Sequence, residues 1–154
     1  MKLHEGQIEL ELLKVLHHPG IITLHEGFQD QQYIYLVLDL CENGDLFSLI
    51  NSIGSDLSLS LSRDKLARHY LSQLLETMCY LHEKEVIHRD LKPENVVLDA
   101  NKNTKLIDFG TCKVLSQELF SAEAKKRIEV TREKSRDDVA ERASFVGSSK
   151  YLSP

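Results

Sequence analysis

The run His88-Arg89-Asp90-Leu91-Lys92-Pro93-Glu94-Asn95 is followed, thirteen residues after Asn95, by Asp108-Phe109-Gly110, and this pairing constrains the chain more than any other feature of it. Between the two motifs lie the short apolar pieces Val96-Val97-Leu98 and Leu106-Ile107, joined by a polar turn at residues 99–103. One hairpin therefore carries a motif at each end. Taken singly, each element is ordinary: Asp90 could cap a turn, Asn95 could satisfy loop backbone, and Asp108-Phe109-Gly110 could close a strand. Taken together they fill every fixed position of H-R-D-L-x-x-x-N, with D-F-G at hairpin distance, which is a constellation for phosphoryl transfer.

Moving a γ-phosphoryl group asks a protein mainly to align nucleophile, phosphate and metal, and to neutralise the charge that spreads over them. In this signature the loop Asp accepts the proton of the substrate hydroxyl, the Asn five residues on ligates one Mg²⁺, and the Asp of D-F-G ligates another. These are Asp90, Asn95 and Asp108. Lys92, two residues beyond the base, can set a point charge beside the γ-phosphate. The cofactors implied are ATP and Mg²⁺.

With 154 residues, 42% hydrophobic and 28% charged, the composition is that of one ordinary globular domain or part of one. A net charge of −5 with scattered Lys and Arg leaves no basic footprint, which argues against nucleic acid as a partner. Cys41, Cys79 and Cys112 are odd in number and form no C-x-x-C, so neither a disulfide framework nor a zinc site is expected. The longest apolar run, residues 34–38, is far too short for a transmembrane segment, and no signal-peptide h-region opens the sequence. An intracellular, cytoplasmic protein is the expectation.

Ile8, Leu12, Leu13 and Leu16 fall at helical spacing and stop at His17-His18-Pro19-Gly20, which predicts one helix. Residues 21–28 and 33–40, rich in β-branched and aromatic side chains about a polar 29–32, predict a two-stranded hairpin. Leu46, Ile50 and Ile53 predict a short helix closed by Gly54. A longer helix follows, with Ser62 at its N-cap and Leu66, Tyr70, Leu74, Leu75, Met78 and Leu81 as one buried stripe. Residues 116–143 are dense in Lys, Arg, Glu and Asp, which predicts a solvated helix or a mobile loop.

These motifs resemble the protein kinases, and the Leu91-Lys92-Pro93-Glu94-Asn95 turn is the variant of the serine/threonine class. Asp108-Phe109-Gly110-Thr111-Cys112-Lys113-Val114-Leu115 and Ser144-Phe145-Val146-Gly147-Ser148-Ser149-Lys150-Tyr151-Leu152-Ser153-Pro154 are similar to the two flanks of an activation loop. On them the entire chain resembles the central part of an AGC-type serine/threonine kinase, most of all the 3-phosphoinositide-dependent kinases. The resemblance implies a protein-kinase-like two-lobe α+β fold truncated at both ends, one partial catalytic domain over 1–154. Residues 1–41 would be the C-helix, the last N-lobe strands and the hinge; residues 42–154 would be the first part of the C-lobe, with a charged, mobile activation-loop insert at about 116–143.

The resemblance also implies roles. Glu9 stands where the C-helix Glu pairs with a strand Lys that grips the ATP phosphates; without it, Glu9 reads as one of three acids, with Glu5 and Glu11, on an exposed helix face. Leu38 would lie behind the adenine, Asp39-Leu40-Cys41 would be the hinge whose backbone bonds the purine, and Asp45 would accept from the ribose. Val97 would floor the adenine or simply pack its strand, and Glu94 would belong to the nucleotide site through the catalytic turn. Leu13, Leu24, His88 and Phe109 would stack to couple the C-helix to the metal-binding loop, which makes His88 packed core rather than an acid–base catalyst. Ser144 takes the place of the activation-loop phosphosite, clamped by Arg89, or is a solvated loop serine; Ser148 takes that of the hydroxyl bonding the catalytic Asp and Lys.

No glycine-rich loop and no V-A-I-K strand precede Glu9, and the sequence stops at Ser153-Pro154, before the Glu of A-P-E. The expectation is a serine/threonine protein kinase that transfers the ATP γ-phosphoryl group to Ser/Thr hydroxyls of protein substrates, as a fragment of little or no activity alone. Lipid-linked recruitment could come only through regions beyond these residues. The alternative is a non-catalytic kinase-like interaction module, against which the intact Asp90, Asn95 and Asp108 argue.

Overall fold

A computed structural model describes residues 3–30, 32–53, 60–116 and 118–137. The first helix, α1 (Leu3–Val15), buries Leu10, Leu12 and Leu13, with Leu16 just beyond its end. It is enclosed on more than its apolar stripe, because Gln7, Glu9 and Glu11 are buried too. That overturns the reading of Glu5, Glu9 and Glu11 as an exposed acidic face; only Glu5 is even half-exposed. The helix ends where expected: beyond it the His17 backbone N–H donates to the Tyr80 hydroxyl at 2.9 Å and that of Gly20 to His18 Nδ1 at 3.0 Å, around a Pro that cannot continue a helix.

β1 (Leu24–Gln29) and β2 (Ile34–Leu38) form the expected antiparallel hairpin, with Leu24 opposite Leu38 and Gln29 opposite Ile34. Ile21 and Ile22, expected to open the first strand, are used differently. Ile21 bridges Leu106 in parallel, the Leu106 N–H donates to the Gly20 carbonyl at 2.8 Å, and the Ile22 N–H donates back to Leu106 at 3.1 Å. A hairpin strand pairs with its sequence neighbour, as Thr23 still does through Asp39; Ile21 and Ile22 instead stitch the N-terminal part of the chain to the hairpin that carries the two motifs.

Asp45 opens α2 (Leu46–Ile53), its carboxylate accepting from the Ser48 N–H at 2.7 Å and the Ser48 hydroxyl at 2.9 Å. The closure at Gly54 lies outside the described residues. α3 (Ser60–Glu83) is already under way at Ser60, so Ser62 is not its N-cap. Its stripe is buried only in part: Tyr70 and Leu81 are buried, whereas Leu66 and Leu75 are exposed. The helical period is right, but the described strands meet α3 toward its C-terminal half, where Thr77 is buried and the Gln73 amide oxygen accepts the Thr104 N–H at 2.8 Å.

Beyond α3 come β3 (Val86–Ile87), β4 (Val96–Leu98), β5 (Thr104–Leu106) and β6 (Lys113–Val114). β4 pairs with β5 across the expected turn, where Asp99 Oδ1 accepts from the N–H groups of Asn101 and Asn103 at 2.9 and 2.8 Å. β3 pairs with β6, antiparallel, outside that hairpin. Leu12, Leu13, Leu16, Ile21, Ile22, Leu81, Val86, Val96, Leu106, Phe109 and Cys112 make one core cluster between α1, the end of α3 and these strands. The α+β class is as expected, its strands in two-stranded antiparallel pairs. No helix among the described residues is long and apolar enough to cross a membrane.

The charged stretch after β6 takes the helical one of its two expected forms, but not as a solvated run. It forms α4 (Ala122–Asp137), which packs against α1 and buries Ala124, and the preceding Leu119 and Phe120 lie against the core cluster. A mobile loop is therefore the wrong description of residues 122–137. The charge that suggested solvation is spent in part on an ion pair between the half-exposed Arg127 and the buried Glu11 of α1.

Candidate active site

The β4–β5 register sets the site. The Ile107 N–H donates to the Asn95 carbonyl at 3.0 Å, so Asn95, just before β4, stands across from the residue preceding Asp108. Pro93–Asn95 is a 3₁₀ turn with Pro at its start, where a missing N–H costs nothing. The buried Asn95 amide donates to the Asp90 carbonyl at 2.8 Å and to Asp90 Oδ2 at 3.0 Å. Lys92 Nζ meets the same Oδ2 at 2.5 Å. Two donors thus fix Asp90 through one carboxylate oxygen, and Oδ1 is left to take a proton. The bond to Asp90 raises the Lys92 pKa, against a smaller opposing effect of burial, so its charge is secure.

Both motifs carry backbone in the left-handed region, with φ of 69° at Arg89 and 64° at Asp108. For a non-glycine residue this costs on the order of 1–3 kcal/mol and gathers at functional sites. Arg89 is held there by its own side chain: Nε donates to the Thr111 carbonyl at 2.6 Å and Nη2 to that of Cys112 at 3.3 Å. The catalytic loop is tied in this way to the segment following Gly110. His88 lies edge-on to Phe109, ring centroids 5.2 Å apart, and its Nε2 meets the Ile107 carbonyl at 3.1 Å while Nδ1 is buried without a partner. Burial, foremost, lowers its pKa. A neutral, enclosed ring is packed core, as expected, and no acid–base catalyst.

α1 touches the Asp108-Phe109-Gly110 turn at two points. Glu9 Oε1 accepts the Phe109 N–H at 3.3 Å, and a Cβ added at Gly110 would come within 3.3 Å of the Glu5 backbone oxygen. Leu13 and Phe109 share the core cluster with Leu24 packed against it, and His88 meets Phe109, so the four residues expected to stack lie in or against one cluster. Burial is the main cause that raises the Glu9 pKa above 4.5; the Asp108 charge adds to it and the Phe109 amide opposes it. Among the described residues no cation lies within ion-pair distance of Glu9.

A raised folded-state pKa means that ionised Glu9 costs stability at neutral pH and that the cost disappears as pH falls below the unfolded value near 4.5. Glu9→Gln, which keeps an acceptor for the Phe109 amide, is therefore expected to raise the melting temperature at pH 7. The gain should vanish as pH approaches 4, and thermal scans across that range check it.

Beside this turn opens a cavity of about 560 Å³ whose walls include Glu9, Leu38, Asp39, Cys41, Val97 and Asp108, a size suited to a small-molecule ligand. Six residues singled out in the sequence thus face one space. Ile22 and Ile107 line it as well and were missed, since each reads as plain strand. The Asp39 N–H is bonded to the Thr23 carbonyl at 3.1 Å and its carboxylate holds His25 at 2.7 Å. Leu40 is 79% exposed and outside the cavity, as a residue contributing backbone alone can be. Asp45 also stands outside, its carboxylate engaged as the α2 cap, although its backbone bridges Val97. Glu94 stays in the half-buried 3₁₀ turn. A second cavity, of about 400 Å³, lies between α2, α3 and the turn; its walls are mostly apolar, Leu46, Ile50, Tyr70 and Leu74 among them, with Arg63 and Lys92 as its charged residues. Ser144 and Ser148 lie outside the described residues.

The donor set fits Mg²⁺. With the Asn95 NH₂ committed to Asp90, its amide oxygen is the atom left for a metal, and Asp108 adds a carboxylate; both are hard oxygen donors. Among the described residues no three His, Cys, Asp or Glu side chains form a metal cage. Mg²⁺ needs none, since it keeps waters and phosphate oxygens beside one or two protein ligands.

Residues 2–154 match the protein kinase domain family. The chain is 40% identical over 148 residues to the serine/threonine-protein kinase ksg1 of Schizosaccharomyces pombe, which covers 96% of this chain and 23% of that protein. It is 38% identical over 137 residues to the serine/threonine-protein kinase PDK1 of Cryptococcus neoformans, covering 89% and 10%. It is 35% identical over 146 residues to the 3-phosphoinositide-dependent protein kinase 1 of Homo sapiens, covering 95% and 22%. The chain spans less than a quarter of the length of each of these curated relatives. With its motifs assembled on one hairpin and its similarity running to serine/threonine kinases of the 3-phosphoinositide-dependent type, the chain belongs to the protein kinase domain family.

Proposed function

We propose that these residues form the catalytic segment of a serine/threonine protein kinase that transfers the γ-phosphoryl group of ATP to protein hydroxyls. The observation that carries it is the convergence of Asn95 and Lys92 on one oxygen of Asp90 while the β4–β5 register sets Asp108 alongside. Asp90 Oδ1 takes the proton of the acceptor hydroxyl, and Lys92 keeps positive charge beside the transferred group. Asn95 and Asp108 would hold Mg²⁺, which neutralises phosphate charge when bound. Leu38 and Val97 sandwich the purine with Ile22 and Ile107, and the carbonyl of Asp39 and backbone of Leu40 and Cys41 orient its edge. A ribose would have to compete with Ser48 for Asp45. An activation-loop phosphate on Ser144 would draw Arg89 from the carbonyls it now holds.

Because no lysine faces Glu9 among the described residues, they are expected by themselves to bind nucleotide weakly and to transfer phosphate slowly or not at all. Free Cys41, Cys79 and Cys112 suit a reducing cytoplasm, and the Cys112 thiol, pushed up to about 12 by burial, is inert. Calorimetric titration of the full-length protein with ATP, in MgCl₂ and in EDTA, tests the reading. Binding should need the metal and should be weakened in Asp108→Asn. Equal heats in EDTA, or an unaffected variant, count against it and favour an interaction module.

A further inference from the structure

Glu11 is an acid with no business in a core, yet its side chain is 3% exposed. What keeps it charged is α4. Arg127 meets it with both arms, Nε to Oε1 at 2.8 Å and Nη2 to Oε2 at 3.1 Å, across 116 residues of sequence. Gln7 Nε2 and Lys14 Nζ add bonds to Oε1 at 2.8 and 3.4 Å. Burial pushes the Glu11 pKa up, but the Arg127 and Lys14 contacts outweigh it and hold the carboxylate below its usual range. A two-bond guanidinium–carboxylate fork fixes orientation as well as distance, which a lysine cannot do.

The N-terminal end of α4 is anchored too. The Ser121 hydroxyl accepts the Ala124 N–H at 3.2 Å as an N-cap, Ala124 is buried, and Leu119 and Phe120 lie against the core. A helix anchored to the core at its N-terminal end therefore grips α1 two residues from Glu9, the residue that meets the Phe109 amide. Removing Arg127 would leave a buried carboxylate with only Gln7 and Lys14 as partners, which favours its protonation or a movement of α1 that brings Glu11 toward water.

We propose that α4 is a built-in clamp on α1, with Arg127 as a positioning residue that acts through Glu11 to keep Glu9 against the metal-binding turn. The clamp couples the segment following Asp108-Phe109-Gly110 to the helix that touches this same turn. It stands whether or not phosphotransfer does, since its readout is a backbone amide.

Hydrogen exchange on the full-length protein tests it with Arg127→Ala and Arg127→Lys. In the alanine variant the Phe109 amide and those of α1 should exchange about tenfold faster, while the Leu98 and Leu106 amides of the hairpin keep their rates; the lysine variant should fall between. An unchanged Phe109 rate in Arg127→Ala overturns the proposal. So does equal acceleration of Leu98 and Leu106 in both variants, because the pair would then be holding the whole fold. If only the alanine variant loses protection throughout, the lysine variant decides: selective acceleration of Phe109 and α1 supports the clamp, and wild-type rates overturn it.

Discussion

Asp90→Asn in the full-length protein is expected to lower the phosphotransfer rate constant by about 10²–10⁴-fold and to leave the KM for ATP close to that of the wild type. The substitution is nearly isosteric, and an amide oxygen can still accept from Asn95 and Lys92 as Oδ2 does now. What it lacks is basicity at the second position, where the acceptor proton must go. A loss made only in the transition state lowers kcat and kcat/KM together. Asp108→Asn should behave differently, because Asp108 lines the cavity proposed for the nucleotide and is one of the two proposed Mg²⁺ ligands: KM for ATP should rise as well. Steady-state kinetics with a serine peptide separates the two. If Asp90→Asn instead raised KM and spared kcat, Asp90 would be a binding residue and the division of labour derived above would be wrong.

The proposed catalytic trio was legible because its geometry is local. Five turn residues, 99–103, separate two short apolar runs, and a two-stranded pairing then leaves Asn95 and Asp108 no choice but to be neighbours. Likewise Leu12, Leu13 and Leu16 announce a buried helix face by spacing alone. Leu38, Asp39, Cys41 and Val97 were placed by family resemblance, and the structure gathers them around one cavity. Contacts with no periodicity were illegible. Nothing in a charged run distinguishes Arg127 from its neighbours, and its partner Glu11 looked like any exposed helix acid until α4 covered it. Ile21 and Ile22 carried a true strand signal, but their partner turned out to be β5 rather than β2. Leu66 and Leu75 kept the helical period of a core stripe without being covered by described elements, a reminder that period reports a face and not what lies against it.

Phe109→Ala is expected to destabilise the fold by about 3–5 kcal/mol, the range for removing a fully enclosed aromatic ring. Phe109 has no exposed surface, belongs to the central cluster, and lies edge-on to His88. Phe109→Leu should cost much less, about 1.5 kcal/mol or under, since it refills most of the volume. Urea denaturation followed by two probes would give both values; a loss of less than about 1 kcal/mol for the alanine variant would mean that the site collapses around the gap. The ring does more than fill space, because its own N–H is the one Glu9 accepts. If the ring is what holds that amide under α1, the stabilisation gained by Glu9→Gln should shrink once Phe109 is alanine, as α1 no longer buries the carboxylate against the turn. Non-additivity in the Glu9→Gln, Phe109→Ala cycle then measures the coupling between α1 and the metal-binding loop directly. Additive effects would separate core packing from assembly of the site, and would leave the Glu9–Phe109 contact a consequence of the fold rather than a link within it.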